Sequence, residues 1–118
     1  MAKNLVYNGS DGLPLVCSDP ATPASGDPVR YGEKCGVALT AEYADGVTPV
    51  DVTPGHCYDL SVKGIDGGGN SAVALGDKIY YVDADTPKLS KKATGRLFGY
   101  AMAAITSGST ATITVMLA

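Results

Sequence analysis

Two stretches of this sequence share one pattern of glycines and short apolar runs. Each opens with Gly-Asp, continues to a glycine followed by three apolar residues, and reaches a further glycine before an alternating strand. The landmark glycines are Gly26, Gly36 and Gly46 in the first copy and Gly76, Gly99 and Gly108 in the second. Because this pattern places apolar side chains on one face twice over, it predicts a repeated scaffold at residues 26–52 and 76–115.

The clearest signal of secondary structure is an alternation of apolar and polar residues with a period of two. It occurs at Cys57–Lys63 and at Thr110–Leu117, and each is typical of a half-buried strand. No stretch keeps the 3.6-residue apolar period of a helix over three turns. The sequence therefore predicts an all-β fold at residues 9–118, a single compact barrel or sandwich of about eight or nine short strands.

Composition and charge narrow the function classes. The chain has 118 residues, enough for one domain, and only 18% of them are charged. So few charges indicate a weakly polar surface that burial in an assembly would cover. A net charge of −3 argues against a dedicated nucleic-acid binder, which needs a basic stripe. No apolar run approaches the roughly 18 residues that span a bilayer, so no membrane partner is expected.

The three cysteines do not have the spacing of a metal or redox site. Cys17, Cys35 and Cys57 are well separated, and no C-x-x-C occurs. We expect free thiols, no bound metal and no cofactor.

The first eight residues predict an extended N-terminal arm ahead of the β domain. Its apolar part is Leu5, Val6 and Tyr7. Such a segment can add a strand to the edge of a neighbouring sheet, so these three residues are candidate partner contacts.

A glycine-rich segment at residues 64–71 imitates a phosphate-binding loop in its glycine spacing. Asn70 stands where the lysine of such a loop would reach the phosphates, and no helix is predicted to follow. The segment is better interpreted as a flexible hairpin loop.

The remaining candidates for catalysis also fail. His56 and Cys57 are adjacent, so in a strand they would point to opposite faces, and His56 is predicted to be a solvated turn residue. Asp83 and Asp85 lie before Thr86-Pro87, which favours a polar turn over a paired-carboxylate or cation site. No triad, dyad or metal set can be assembled, so the chain is not expected to be an enzyme.

One basic cluster stands out, formed by Lys88, Lys91, Lys92 and Arg96. Such a cluster is usually a solvated edge that discourages wrong strand pairing. Its functional interpretation is a contact with an acidic patch on a partner.

The arrangement of several segments resembles that of a known family. They are the opening MAKN with its apolar arm, SGDPVRYGEKCGVAL at 25–39, LGDKIYYVDADTPKLSKKATG at 75–95 and LFGYAMAAITSGSTATITVML at 97–117. This arrangement is similar to that of the small capsid cement, or head decoration, proteins of tailed bacteriophages.

The resemblance implies an all-β protein on the exterior of an icosahedral virion, assembled in the host cytoplasm. Such a protein commonly acts as a homotrimer. Its implied partner is the phage major capsid protein, whose neighbouring subunits it would cement against internal DNA pressure.

An alternative function stays open, a β-barrel binding module that recognises a peptide or a carbohydrate. Its candidate contacts would be the tyrosines at positions 7, 31, 43 and 80, because aromatic side chains dominate small recognition sites. A cement protein should form oligomers, whereas a binding module should be a compact monomer.

Overall fold

The computed structural model describes residues 12–118, which fold into eleven strands with no helix among them. The strands are β1 (Leu13–Leu15), β2 (Pro28–Tyr31), β3 (Lys34–Ala38), β4 (Thr48–Asp51), β5 (Cys57–Lys63), β6 (Ile65–Asp66), β7 (Gly69–Asn70), β8 (Lys78–Tyr81), β9 (Leu89–Ser90), β10 (Arg96–Ala101) and β11 (Thr110–Leu117). The all-β prediction is confirmed. The strand number exceeds the expected eight or nine because β6, β7 and β9 have only two residues each, too short for an alternation to show.

Four antiparallel strands form the first sheet, in the order β1-β4-β3-β2. Beyond β1 the chain turns back to β2, where Asp19 and Arg30 form an isolated bridge. The inner face buries a small core of Val29, Ala38, Val50 and Val52, with Leu13, Leu15 and Cys17 packed against it.

The second array is a closed barrel in the order β10-β11-β5-β9-β8. Its longest pairing joins β11 to β5 over seven residue pairs, from Thr110 opposite Lys63 to Met116 opposite Cys57. The short strand β9 closes the barrel, since it pairs with β5 in parallel and with β8 in antiparallel fashion. The chain therefore completes the first sheet, β1 to β4, before it enters the barrel at β5.

The first sheet and the barrel share one pattern of pairing. Leu13 lies opposite Val50, as Tyr58 lies opposite Val115. In the same way, the opposed residues Val29 and Gly36 of the first sheet match Ile79 and Gly99 of the barrel. The opposed residues Ala38 and Val50 match Ala101 and Val115. Strands β1, β4, β3 and β2 therefore correspond to β5, β11, β10 and β8.

Matching hydrogen bonds set the start of each copy. The Gly26 amide donates to the Ala38 carbonyl at 2.8 Å, and the Gly76 amide donates to the Ala101 carbonyl at 2.7 Å. Each following aspartate accepts a bond from the amide three residues earlier. Both glycines have positive φ, 83° and 86°, which favours glycine at this turn.

The barrel covers the outer face of the first sheet. Cys35 and Val37 of β3 belong to one cluster of buried side chains with barrel residues that include Phe98 of β10. At the matching glycine of β3, Gly36, an added Cβ would lie 2.5 Å from the Asp51 carbonyl oxygen. This close approach lies between β3 and β4 of the same sheet, whereas the buried side chains of Cys35 and Val37 join β3 to the barrel.

Candidate functional site

The predicted partner contacts of the arm, Leu5, Val6 and Tyr7, lie outside the described residues. They precede β1, the edge strand of the first sheet, by a few residues. Their role stays a prediction.

The basic cluster is neutralised by carboxylates of this same chain. The ion pairs, with their N···O distances, are Lys88–Asp19 at 2.9 Å, Lys91–Asp77 at 3.3 Å, Lys92–Asp85 at 2.8 Å and Arg96–Glu33 at 3.0 Å. All four cationic side chains are partly buried. A partner would therefore have to compete with intrachain carboxylates, which weakens this cluster as a contact with an acidic patch.

One of these carboxylates, Asp19, belongs to a network that joins the first sheet to the barrel. Arg30 of β2 donates two hydrogen bonds to Asp83, at 2.9 and 2.7 Å. These bonds raise the pKa of Arg30 and lower that of Asp83. Nearby, Asp19 accepts a bond from the buried Tyr81 hydroxyl, whose pKa is raised by burial and by this bond. Charge pairing here fixes the two arrays relative to each other.

These contacts give Asp83 and Asp85, the candidate carboxylate pair, separate partners. Asp83 binds Arg30 and Asp85 pairs with Lys92, so the two carboxylates do not share one ligand. Residues 83–84 form a turn, as the sequence predicted. Within residues 12–118 no group of three or more histidine, cysteine or acidic side chains could hold a metal ion.

The glycine-rich segment forms a two-stranded hairpin, with Ile65 opposite Asn70 and Asp66 opposite Gly69. The hairpin interpretation is therefore confirmed. Lys91 reaches the end of this hairpin and donates to the Ser71 hydroxyl at 3.2 Å.

Beside the predicted His56 turn lies a buried carboxylate that sequence patterns did not reveal. Asp51 ends β4 with its side chain 2% exposed, and it accepts hydrogen bonds from the Tyr58 hydroxyl and the Thr53 amide. His56 keeps an exposed side chain, but its Nδ1 lies 2.7 Å from Asp51. Burial raises the pKa of Asp51, yet these bonds outweigh it and lower the pKa to about 2.

The neighbouring thiol takes no part in this arrangement. Cys57 Sγ donates to the Gly55 carbonyl, so histidine and thiol do not form a base and nucleophile pair. All three cysteines are free, as predicted.

The tyrosines suggested for a binding module are scattered. Tyr31 and Tyr43 are half exposed, Tyr80 is partly buried, and Tyr7 lies outside the described residues. A cavity of about 250 Å³ lies between the first sheet and the barrel, lined by Pro20, Asp27, Pro28, Ser61, Pro87 and Lys88. None of the three described tyrosines, Tyr31, Tyr43 and Tyr80, lines it.

A second surface feature is apolar and was also missed. Leu75, Tyr100, Met102 and Met116 line a shallow groove on the outside of the barrel, here called the β10–β11 face. Leu75 is 72% exposed and Met102 is 45% exposed. A usable signal was present, since the outward positions of β10 and β11 are apolar at Tyr100 and Met116.

Among the described residues, no helix has the length and apolar character needed to cross a membrane.

A family model described as phage cement protein matches residues 7–117 of the 118-residue chain. No curated protein and no solved structure matches the chain. The matched range includes all eleven strands of the described residues.

Proposed function

Because the chain belongs to the phage cement protein family, we propose that it binds the outer surface of an icosahedral phage capsid and cements neighbouring coat subunits against internal DNA pressure. The family is a structural one, and its members are components of the phage capsid. The observation that carries the proposal is the extent of the match, which runs through every described strand. The proposed partner is the major capsid protein, and the proposed assembly is a homotrimer that forms in the host cytoplasm and stays on the virion exterior.

The proposed mechanism is mechanical and not enzymatic. A clamp that binds only the expanded shell stabilises that state by mass action, since ligand bound to one state lowers its free energy relative to the others. The charge network between Arg30 and Asp83 supports this role, because a clamp transmits force only if its two halves stay fixed to each other.

We propose the N-terminal arm as the grip. The apolar residues Leu5, Val6 and Tyr7 can add a strand to a sheet edge of the coat, where main-chain hydrogen bonds give affinity. With so few residues the arm cannot bury enough surface alone to offset its ordering entropy, so it needs a partner.

The edge of β1 is a poor site for the arm of another copy. The Leu39 amide donates to the Pro49 carbonyl, so Pro49 directs its backbone oxygen toward β3. Pro14 lies opposite Pro49, and in an antiparallel pair it therefore directs its own backbone groups to the open side of β1. Proline lacks an N–H, so this edge lacks a donor at its centre. This supports a sheet outside the chain as the arm's partner.

Deletion of residues 2–8 tests the grip. We expect the truncated protein to keep its all-β circular dichroism and its melting temperature, because the described fold begins at β1. We expect it to lose binding to expanded capsids, measured by co-sedimentation with purified shells. A matched control replaces residues 2–8 with a glycine-serine segment of equal length, which separates the apolar side chains from chain length.

Truncated protein that decorates shells at wild-type affinity would contradict the proposed grip. The basic cluster would then be the next candidate, despite its intrachain ion pairs. Full-length protein that fails to bind expanded shells at all would contradict the proposed function itself.

A further inference from the structure

The cavity of about 250 Å³ between the first sheet and the barrel, here called the seam cavity, combines apolar walls with charged groups. Its lining comes from both arrays and their connections: Pro20, Asp27, Pro28, Ser61, Pro87 and Lys88. Ser61 is exposed and the other lining residues are partly buried, so the cavity opens to solvent. An apolar cavity of about 150 Å³ already holds benzene, so the seam cavity has room for a substituted ring.

Three proline rings form the apolar walls of the seam cavity. Proline has no side-chain freedom to lose, so a ligand can pack against these rings without an entropic cost from the walls. The face of an aromatic ring is negative and attracts the partially positive C–H groups of a saturated ring. The walls therefore favour a flat aromatic group.

Two charged groups of the seam cavity keep unused hydrogen-bonding capacity within residues 12–118. Asp27 Oδ2 accepts from the Ala24 amide at 2.9 Å, and no hydrogen bond from the described residues reaches Asp27 Oδ1. Lys88 Nζ carries three donors and uses two of them, on Asp19 Oδ2 and on the Asp83 carbonyl, each at 2.9 Å. The cavity thus offers one acceptor and one donor, and a hydroxyl group complements both.

This chain already binds tyrosine hydroxyls with carboxylates. The Tyr81 hydroxyl donates to Asp19, and Lys88 Nζ pairs with the same aspartate and lies 5.8 Å from the centroid of the Tyr81 ring. The Tyr58 hydroxyl likewise donates to Asp51. Because Lys88 also lines the seam cavity, the cavity repeats the combination of lysine and aspartate that holds Tyr81.

We propose that the seam cavity binds a tyrosine side chain from an extended segment of the coat protein. The ring lies between the proline walls, and its hydroxyl donates to Asp27 and accepts from Lys88. A phenylalanine in the same place would leave both charged groups without a partner, which weakens binding more than the loss of apolar contact alone. The inference deepens the proposed function, on which it rests for the source of the tyrosine.

A tyrosine in the seam cavity would contact the first sheet and the barrel together, because the walls come from both. A ligand that binds only the folded protein stabilises it by mass action. Binding should therefore raise the melting temperature of the whole chain, which provides a readout independent of the shell.

The first experiment titrates two soluble probes into the full chain. N-acetyl-tyrosinamide and N-acetyl-phenylalaninamide differ only by the hydroxyl. Two-dimensional amide NMR measures binding, and the amide signals of Ser61 and Lys88 should shift. We expect saturable binding of the tyrosine probe with a Kd on the order of millimolar. The phenylalanine probe should bind about tenfold more weakly.

Three variants separate the shape of the cavity from recognition of the hydroxyl. Ser61→Leu fills the cavity from β5 and should abolish binding of both probes. Thr112→Leu is the matched control, because Thr112 lies opposite Ser61 on β11, is also exposed and does not line the cavity. Asp27→Asn keeps an oxygen for the Ala24 amide and should weaken binding of the tyrosine probe alone, about tenfold.

The inference would be overturned by a wild type that does not bind the tyrosine probe, by equal affinity for the two probes, or by binding that survives Ser61→Leu. Should circular dichroism show that Ser61→Leu does not fold, the ratio of the two affinities in Asp27→Asn decides instead. Tighter binding of methyl glucoside would overturn the inference in favour of a carbohydrate ligand. Binding seen only after deletion of residues 2–8 would overturn it in favour of the chain's own arm.

Co-sedimentation with expanded shells separates this inference from the proposed function. We expect Ser61→Leu to bind shells at least about tenfold more weakly than the wild type, and Thr112→Leu to bind them equally well. A wild type that binds the tyrosine probe but no shell would contradict the proposed function, while recognition of tyrosine stands. Shell binding unchanged in Ser61→Leu would overturn the inference and leave the proposed function standing.

Discussion

Lowering the pH below about 4 should weaken the fold at one buried carboxylate, Asp51. Its ordinary pKa is 3.8, and the hydrogen bonds of the folded protein lower it to about 2. A lowered pKa means that the folded state binds the proton less readily than the unfolded chain. The stabilisation is therefore complete above pH 4 and is lost as the pH falls toward 2, and it amounts to about 2 kcal/mol at neutral pH.

Tyr58→Phe removes the hydroxyl that donates one of the hydrogen bonds to Asp51. Hydrogen bonds to charged groups contribute about 1.5–3 kcal/mol, so we expect a loss of unfolding free energy in that range at pH 7, measured by urea denaturation. The pKa of Asp51 should also rise, which a pH titration of its side-chain carboxyl carbon by NMR measures directly. The two readouts must agree, because both report the same interaction.

Tyr43→Phe is the matched control, since Tyr43 is 55% exposed and lies in a turn. It should change neither the stability nor the titration of Asp51. The reasoning would be refuted if Asp51 of the wild type titrates at pH 3.8 or above. It would also be refuted if Tyr58→Phe has the same midpoint of urea denaturation as the wild type.

Two further predictions concern packing and thiol reactivity. Gly99→Ala should prevent folding or destabilise the protein severely, because the added Cβ would overlap the Met116 carbonyl group. Gly67→Ala is the control and should be tolerated, since the added Cβ would meet open space. Thermal melting of both variants measures the difference. In the native protein a thiol reagent should modify the exposed Cys57 and spare Cys35, because burial raises the pKa of the Cys35 thiol to about 12. Reaction of Cys35 before the protein unfolds would contradict its burial.

The local patterns of the sequence were enough for the long strands. Alternation predicted strands at Cys57–Lys63 and Thr110–Leu117, which are the bounds of β5 and β11. Around β1 and β10 the apolar composition continues past the ends of the strands, which lie at Leu15 and Ala101. Apolar composition alone does not show where a chain leaves its sheet.

Contacts between distant residues could not be predicted in this way. The two-residue strand β9 exists only because β5 and β8 lie on either side of it. The basic cluster has the sequence of a solvated edge, but its partners Asp19 and Glu33 come from the first sheet and its connections. From the sequence alone, Asp51 is a polar residue at the end of a strand. Its hydrogen bonds with Tyr58 and His56 exist only in the folded chain.

The short pairing of β1 determines how the protein would respond to tension. A pull on the residues that precede β1 reaches the fold through this strand, which is held to β4 by three residue pairs, one of them Pro14 opposite Pro49. The β5–β11 ribbon of the barrel has seven. Under load, β1 should separate from its sheet first while the barrel stays intact, so the proposed N-terminal grip would lengthen before the rest of the protein unfolds.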